Sequence, residues 1–241
     1  MPGIGTINLK VAVLDSDFYA MQTINSYLAW DRRTRVTFMT HDPAALWDYL
    51  QEAPPAELPD IIITDADHHG DAQSLYNIIT QLRQALPELM IVCLAHHANL
   101  ALVESAAEAG ANAFMLKQEV RFQLAWAIIY TLEHDFVITT SIMHISKASS
   151  NKRIFNAQRL PEQRDYPEMT DRIRQAIRLC VIEGMPAHLA ADEMGISLHT
   201  IRGYIKEGYR ILETYDHYEY PVDMTPQERA FMRFTALADM E

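Results

Sequence analysis

The stretch DIIITDADHHGDAQSLYNIITQLRQAL, residues 60–86, changes from a strand pattern to a helix pattern within one short segment. Residues 61–64 are all β-branched, which is typical of a buried strand, and residues 74–86 repeat apolar side chains at helical spacing. A polar loop rich in Asp and His separates the two patterns. The stretch therefore predicts one strand–helix unit with its polar residues at the strand's carboxyl end.

The same unit recurs on both sides of this stretch. The other strand patterns are LKVAVL (9–14), VTFMT (36–40), MIVCLA (90–95) and AFML (113–116), and a helical pattern follows each of them. Five strand–helix units in succession predict an α/β fold, a parallel sheet with helices on both faces. In such sheets the functional crevice lies beyond the carboxyl ends of the strands.

Polar residues gather at these predicted strand ends. They are Asp15-Ser16-Asp17, Asp65-Ala66-Asp67-His68-His69-Gly70-Asp71, Ala95-His96-His97 and Lys117. Converging carboxylate oxygens are ligands that Mg²⁺ accepts, and a lysine opposite them can stabilise a phosphoryl group. We therefore expect an acidic pocket with one lysine at this edge of the sheet.

Three motifs resemble the receiver domain of bacterial two-component response regulators of the NarL/LuxR family. They are PDIIITD (59–65), AGANAFMLK (109–117) and DFVITTSI (135–142). The resemblance implies a flavodoxin-like (βα)5 receiver-like domain over residues 1–146. The roles that it implies are phosphoacceptor for Asp65, acidic pocket for Asp15 and Asp17, Mg²⁺ ligands for Asp15 and Asp65, phosphate contact for Lys117 and switch aromatic for Phe114.

Three positions depart from the family pattern. Ser16 replaces the second of two adjacent acids, Ala95 replaces the hydroxyl residue that would bond the phosphoryl group, and His69 replaces a proline. The metal site and the switch are thus altered, while the acceptor and the lysine remain. The sequence leaves open whether the site is phosphorylated or whether the domain acts without phosphorylation.

Two histidine pairs lie at the predicted functional edge, His68-His69 and His96-His97. Imidazoles beside carboxylates can bind Zn²⁺ or titrate near neutral pH. Solvated loop residues, a metal or pH sensor, and a surface that recognises a partner are the three interpretations that the sequence allows.

A second domain follows a change in composition. Residues 147–168 lose their periodicity and gain Ser, Asn, Pro and basic residues, which predicts a flexible linker. Residues 169–215 then predict a helix that stops at Gly184, a short helix that stops at Gly195, and a longer helix that begins after Ser197. This is the layout of a helix-turn-helix.

The segment EGMPAHLAADEMGISLHTIRGYIKEGYRIL (183–212) resembles the LuxR-type DNA-binding domain, although Pro186 stands where the family has a small polar residue. The resemblance implies an all-α domain whose third helix enters the DNA major groove. The residues implied to contact DNA are Ser197, His199, Thr200, Arg202, Gly203 and Lys206. Arg202 can read guanine or hold phosphate, and Lys206 can reach the backbone one turn later.

Residues 216–241 form an acidic tail that is unusual for this family. Thr225 and Pro226 are a good helix start, and apolar residues recur at helical spacing from Ala230 to Leu237. The predicted amphipathic helix could pack on the DNA-binding domain, form a dimer contact, or cover the recognition helix.

The net charge of −12 is unevenly distributed. Residues 1–146 carry 7 basic and 17 acidic side chains, whereas residues 169–215 carry 6 of each. A neutral segment can still bind phosphate when its basic residues share one helix face. No run approaches the roughly 18 apolar residues of a membrane span, and the start lacks a secretory signal, so we expect a cytoplasmic protein.

Together these features predict a transcriptional regulator and not an enzyme. We expect it to bind double-stranded DNA as a homodimer, with Mg²⁺, a sensor histidine kinase and RNA polymerase as candidate further partners. One alternative is a signalling protein whose two domains dock proteins such as RNA polymerase or a sigma factor. A Mg²⁺-dependent phosphatase is disfavoured, since no Gly-rich phosphate loop is evident.

Overall fold

The computed structural model describes residues 7–215 and 218–238. The chain forms two compact units that divide between Pro161 and Glu162. Each unit has a hydrophobic core of its own.

The first unit is built on a parallel sheet of seven strands in the order β2-β1-β3-β4-β5-β6-β7. The strands are β1 (Leu9–Leu14), β2 (Thr34–Thr40), β3 (Ile61–Asp65), β4 (Met90–Ala95), β5 (Ala113–Leu116), β6 (Val137–Ile138) and β7 (Gln158–Arg159). The predicted α/β fold is confirmed, with all five predicted strands present. The strand order reverses between β1 and β3, and ligands bind at such switch points in open α/β sheets.

Helices cover both faces of this sheet. They are α1 (Phe18–Ala29), α2 (Pro43–Glu52), α3 (Ala72–Ala85), α4 (Leu100–Ala109), α5 (Lys117–Val120), α6 (Leu124–Thr131), α7 (Thr140–Ser146) and α8 (Lys152–Phe155). Because both faces are covered, β3 and β4 are buried along their whole length. The sequence after β5, VRFQLAWAIIYTLE (120–133), has the apolar spacing of one continuous helix. In the structure, Arg121 has a positive φ of 46°, which separates α5 from α6.

The segment after α6 extends the sheet beyond its fifth strand. Strand β6 pairs with β5, and β7 pairs with β6, both in parallel. Helices α7 and α8 pack against α4, with Ile142 and Ile154 buried in the common core. The prediction of a flexible linker over 147–168 is therefore wrong for the residues of α8 and β7, because they bury apolar surface and donate ladder hydrogen bonds.

The second unit is helical. Its elements are α9 (Asp171–Ile177), a π-helical turn (Arg178–Ile182), α10 (Ala187–Met194), α11 (Leu198–Thr214) and α12 (Pro226–Phe234). Gly195 ends α10 in the left-handed conformation with φ 64°, and the Ser197 side chain caps α11. Within the described ranges, no helix combines the length and apolar character needed to cross a membrane.

The acidic tail is part of the second unit. A capping box of Thr225 and Glu228 begins α12, whose buried residues pack against α11 and the π-helical turn. Beyond it, the Arg164 amide donates to the Ala236 carbonyl at 2.8 Å, and the Ala238 amide donates to the Glu162 carbonyl at 2.7 Å. Packing on the helical domain is thus the interpretation that the structure supports, and residues 239–241 lie outside the described residues.

Two glycines of α11 are expected to respond oppositely to alanine. A Cβ atom on Gly208 would lie 2.5 Å from Cγ1 of buried Ile177, whereas one on Gly203 would meet nothing within 4 Å. We expect Gly208→Ala to lower the unfolding free energy of the second unit by about 1–3 kcal/mol through overpacking. Gly203→Ala should raise it by about 0.5–1 kcal/mol, because alanine favours a helix over glycine. Calorimetry of both variants checks this, and equal shifts would contradict it.

Candidate functional site

Three charged residues meet at the carboxyl edge of the sheet. Asp15 follows β1, Asp65 ends β3 and Lys117 follows β5, and parallel strands bring these ends to one edge. The Lys117 Nζ atom lies 2.7 Å from Asp15 Oδ2 and 3.4 Å from Asp65 Oδ2. The two carboxylate side chains are only 2% and 4% exposed. The structure thus places one ammonium group between two buried carboxylates.

Backbone amides hold the remaining carboxylate oxygens. The Asp17 amide donates to Asp15 Oδ1 at 2.9 Å, and the Asp67 amide donates to Asp65 Oδ1 at 3.1 Å. Asp17 was predicted as a member of the acidic pocket, but its Oδ1 accepts hydrogen bonds from the Tyr19 and Ala20 amides. Asp17 therefore acts as the N-cap of α1.

The residues present do not fit a bound Mg²⁺ ion. This cation demands nearly octahedral coordination by oxygen atoms. Asp15 and Asp65 each direct one oxygen to the Lys117 ammonium and the other to a backbone amide. Ser16, which follows Asp15, is exposed and supplies no further carboxylate. Lys117 thus supplies one positive charge between the two acids.

The pKa of the Asp65 carboxyl group is raised above its ordinary value of 3.8. Burial is the largest cause, because removal from water disfavours the charged form, and the nearby Asp15 charge adds to it. Lys117 acts in the opposite direction. The ionisation of the buried Asp65 carboxyl group therefore depends on Lys117.

Asp67 is a functional-edge residue whose role the sequence analysis did not assign. Its Oδ2 accepts a hydrogen bond from the His96 amide at 2.7 Å, which ties the end of β3 to the end of β4. Between these strand ends, Ala95 is fully buried and has no hydroxyl group. The only sequence signal was that Asp67 follows Asp65 by two residues, so the cross-strand partner could not be inferred.

The four histidines occupy different surroundings. His69 is half-buried, with its Nε2 atom 2.8 Å from the hydroxyl of buried Thr64, while His96 is exposed, with its Nε2 atom 3.4 Å from Lys117 Nζ. Over residues 7–215 and 218–238, no three His, Cys, Asp or Glu side chains come together as metal ligands would. His69 therefore acts in the structure as a hydrogen-bonding partner of β3.

Acid is expected to weaken the fold through His69. Burial, followed by the nearby His68, lowers its pKa from 6.5 to about 4, so the folded state favours neutral imidazole. The stability that this provides is present above pH 6.5 and is lost as the pH falls towards 4. We expect the free energy of unfolding to fall by on the order of 2–3 kcal/mol across this pH window. Urea unfolding of wild type and His69→Gln checks this, since glutamine can keep the Thr64 contact without titrating. Parallel pH curves would contradict it.

Phe114, the predicted switch aromatic, is completely buried in β5. Its backbone pairs with Ile138 of β6, so the sheet extension lies directly beside it. An aromatic ring that moves between buried and exposed positions would have to displace this packing. The structure therefore holds Phe114 inside the core.

The second unit presents a polar face on α11. Ile201, Ile211 and Leu212 are buried, and the exposed residues of the helix include four of the predicted DNA contacts. These four are His199, Arg202, Gly203 and Lys206. Thr200 is half-buried, and its amide and hydroxyl both bond the Ser197 hydroxyl, at 3.0 and 2.8 Å. Ser197 and Thr200 thus form the cap that begins the helix.

The two basic side chains on this face, Arg202 and Lys206, have no polar partner among the described residues. In the part of the chain that the structure describes, Arg202 and Lys206 have no ion pair and no side-chain hydrogen bond, whereas Arg210 pairs with Glu207 at 2.6 Å. Helix α12 packs elsewhere on α11 and leaves both exposed. An exposed helix face with free cations and a glycine between them can approach an anionic polymer closely.

Neither family models nor curated proteins match this chain. Solved structures of RcsB do match it. The RcsB response regulator of Salmonella typhimurium, described for conformational dynamism in DNA interaction, is 19% identical over 90% of this chain and 96% of its own, with a TM-score of 0.50. A structure of two RcsB dimers bound to two parallel DNAs is 19% identical over 94% and 97%, and an RcsB–DNA complex is 18% identical over 92% and 97%, both with TM-scores of 0.50. At such identities the similarity shows the fold alone, a parallel-sheet α/β unit followed by a helical unit.

Proposed function

We propose that this protein is a DNA-binding transcriptional regulator of the response-regulator type. The observation that carries the proposal is the α11 face, where Arg202 and Lys206 are exposed and without partners while the opposite face is buried. The first helical residues of such a recognition helix contact base edges, and its cations contact phosphate. RcsB, which has this fold, is described in complexes with DNA.

The regulator acts as a homodimer on paired half-sites. One helix-turn-helix buries little surface on DNA, so two copies on one duplex gain affinity without further chemistry. Half-sites about one helical turn apart, roughly 10 base pairs, follow from this geometry.

Phosphorylation of Asp65 is not required for this activity. Ala95 lacks the hydroxyl that would bond a phosphoryl group, Phe114 is buried beside β6, and Lys117 already contacts both acids. A two-state element must respond to a modification before the modification can act as a switch. A sensor histidine kinase is therefore not needed in this proposal.

Selection from a random DNA pool tests the proposal, with wild type and Asp65→Asn, each with and without beryllofluoride and Mg²⁺. We expect one paired motif to be enriched in every arm, with dissociation constants that agree within about threefold, a difference below 1 kcal/mol. Enrichment only with beryllofluoride, and its loss in Asp65→Asn, would contradict independence from phosphorylation. Absence of enrichment in every arm would overturn the DNA-binding proposal.

Protein docking is the second candidate, and one observation favours it. Leu189 on α10 and Leu198 at the start of α11 are 49% and 38% exposed. Apolar side chains at such a position can contact a protein such as RNA polymerase or a sigma factor. Failed DNA selection together with binding to RNA polymerase that Leu189→Ser abolishes would favour this function.

A further inference from the structure

A groove beside the acidic site is not explained by DNA binding. A cavity of about 300 Å³ lies between α1 and the α5–α6 segment and begins at Lys117. Its apolar side chains, Ile24, Leu94, Val120 and Leu124, are each at most 6% exposed, so they form a solid floor. Concave sites that are mostly apolar and have a few polar groups at one end are typical of small-molecule binding.

Aromatic rings stand along the sides of this groove. Tyr19 and Tyr27 of α1 line it, and the Tyr27 ring packs edge-on against Phe122 with centroids 6.5 Å apart. Tyr19 is 80% exposed at the mouth. Aromatic ligands pack favourably against such rings in edge-to-face or offset geometry.

Charged side chains of both signs line the groove. Arg121 lines the groove, is exposed, and uses only its Nε atom, which donates to the Gln118 carbonyl at 2.8 Å. Among the described side chains, none forms an ion pair with Arg121. The Lys117 ammonium also lines the groove, as does Asp17, whose Oδ1 is held by two amides of α1. An open guanidinium edge is suited to a carboxylate, which it can bind through two parallel hydrogen bonds.

We propose that this groove binds a small aromatic monocarboxylate, with its ring against Tyr27 and its carboxylate on Arg121. The apolar floor can pack against the ring of the ligand. The Arg121 guanidinium, which has no ion pair among the described residues, can bind its carboxylate. Arg121 has its positive φ at the junction of α5 and α6, and its side chain lines the groove. Binding of such a ligand can regulate the protein in place of phosphorylation. The binding itself does not depend on the proposed DNA-binding function.

Isothermal titration of the full chain tests the proposal with 3-phenylpropionate and indole-3-acetate, each compared with its neutral amide. We expect at least one carboxylate to bind about three- to fivefold more tightly than its amide, because water screens the ion pair with the exposed Arg121 guanidinium but does not abolish it. Arg121→Gln should remove this preference. Thr23→Trp, which fills the groove, should abolish binding, whereas Gln22→Trp on the outer side of α1 should leave it unchanged.

Three results would overturn the proposal. They are absence of binding by both carboxylates at millimolar concentration, equal affinity for acid and amide, and a preference that survives in Arg121→Gln. Sedimentation of Thr23→Trp completes the test. If this variant dissociates a dimer that wild type forms, the groove is a contact between copies and the ligand proposal is wrong.

Discussion

Replacing Arg202 and Lys206 together by alanine is expected to weaken DNA binding by about 100-fold or more, because each lost contact costs roughly 1–3 kcal/mol. Both side chains are exposed on α11, and neither forms an ion pair or a side-chain hydrogen bond within the described chain. The slope of log affinity against log salt should become shallower by about 1–2, since fewer phosphate charges are neutralised. Fluorescence anisotropy with the selected duplex over a series of salt concentrations measures both quantities.

The matched control removes the same charge from the same unit. Arg172 and Arg178 lie exposed on α9 and the π-helical turn, outside α11. Arg172→Ala with Arg178→Ala should leave the affinity within about threefold of wild type, a change below 1 kcal/mol. An equal loss in both double variants would mean that net charge, and not the α11 face, determines DNA binding.

Replacing Lys117 by methionine is expected to produce the largest loss of stability in the first unit. The ammonium is 14% exposed and faces two carboxylates that are almost fully buried. Removing one partner of a buried ion pair leaves uncompensated charge, which costs about 3–5 kcal/mol. Urea unfolding at neutral pH, followed by tryptophan fluorescence, measures the loss. Lys147→Met, at an exposed position of the same unit, should change stability by less than about 0.5 kcal/mol.

The loss in Lys117→Met should diminish in acid. Burial already raises the Asp65 pKa, and removal of the lysine takes away the charge that opposed this rise. A raised folded-state pKa means that stability grows as the pH falls through that pKa and is complete below the unfolded value of 3.8. Adding Asp65→Asn to Lys117→Met should restore most of the stability at neutral pH. A loss that is independent of pH, and that Asp65→Asn does not relieve, would contradict this account.

The fold was largely predictable because its main signals are local. Short apolar runs, most of them with β-branched residues, placed β1 to β5, and the parallel arrangement brought Asp15, Asp65 and Lys117 to one edge. Strands β6 and β7 have only two residues each, which is too short for an alternating pattern to appear. Their pairing depends on Ile142 and Ile154 packing against α4, and this is a tertiary effect.

The candidate site was predictable in its residue types but not in its contacts. Lys117 was expected opposite the acids, yet its place between both carboxylates depends on side-chain conformation. The bond from the His96 amide to Asp67 joins residues 29 positions apart, and no local pattern encodes such a partner. Arg121 lies within a helical sequence pattern, and only the structure shows the positive φ that separates α5 from α6 there.

The hydrogen bonds between residues 162–164 and residues 236–238 determine when the second unit can complete its folding during synthesis. Gln163 pairs with Leu237 in an antiparallel bridge, so the second unit is closed by its own two ends. During synthesis the first unit can fold while the ribosome is still adding residues, since domains fold as units from the N-terminus. The second unit lacks its closing partner until residues 236–238 have been synthesised. The nascent chain therefore acquires its parallel-sheet unit before its complete helical unit, and a premature stop after α11 removes the partner of residues 162–164.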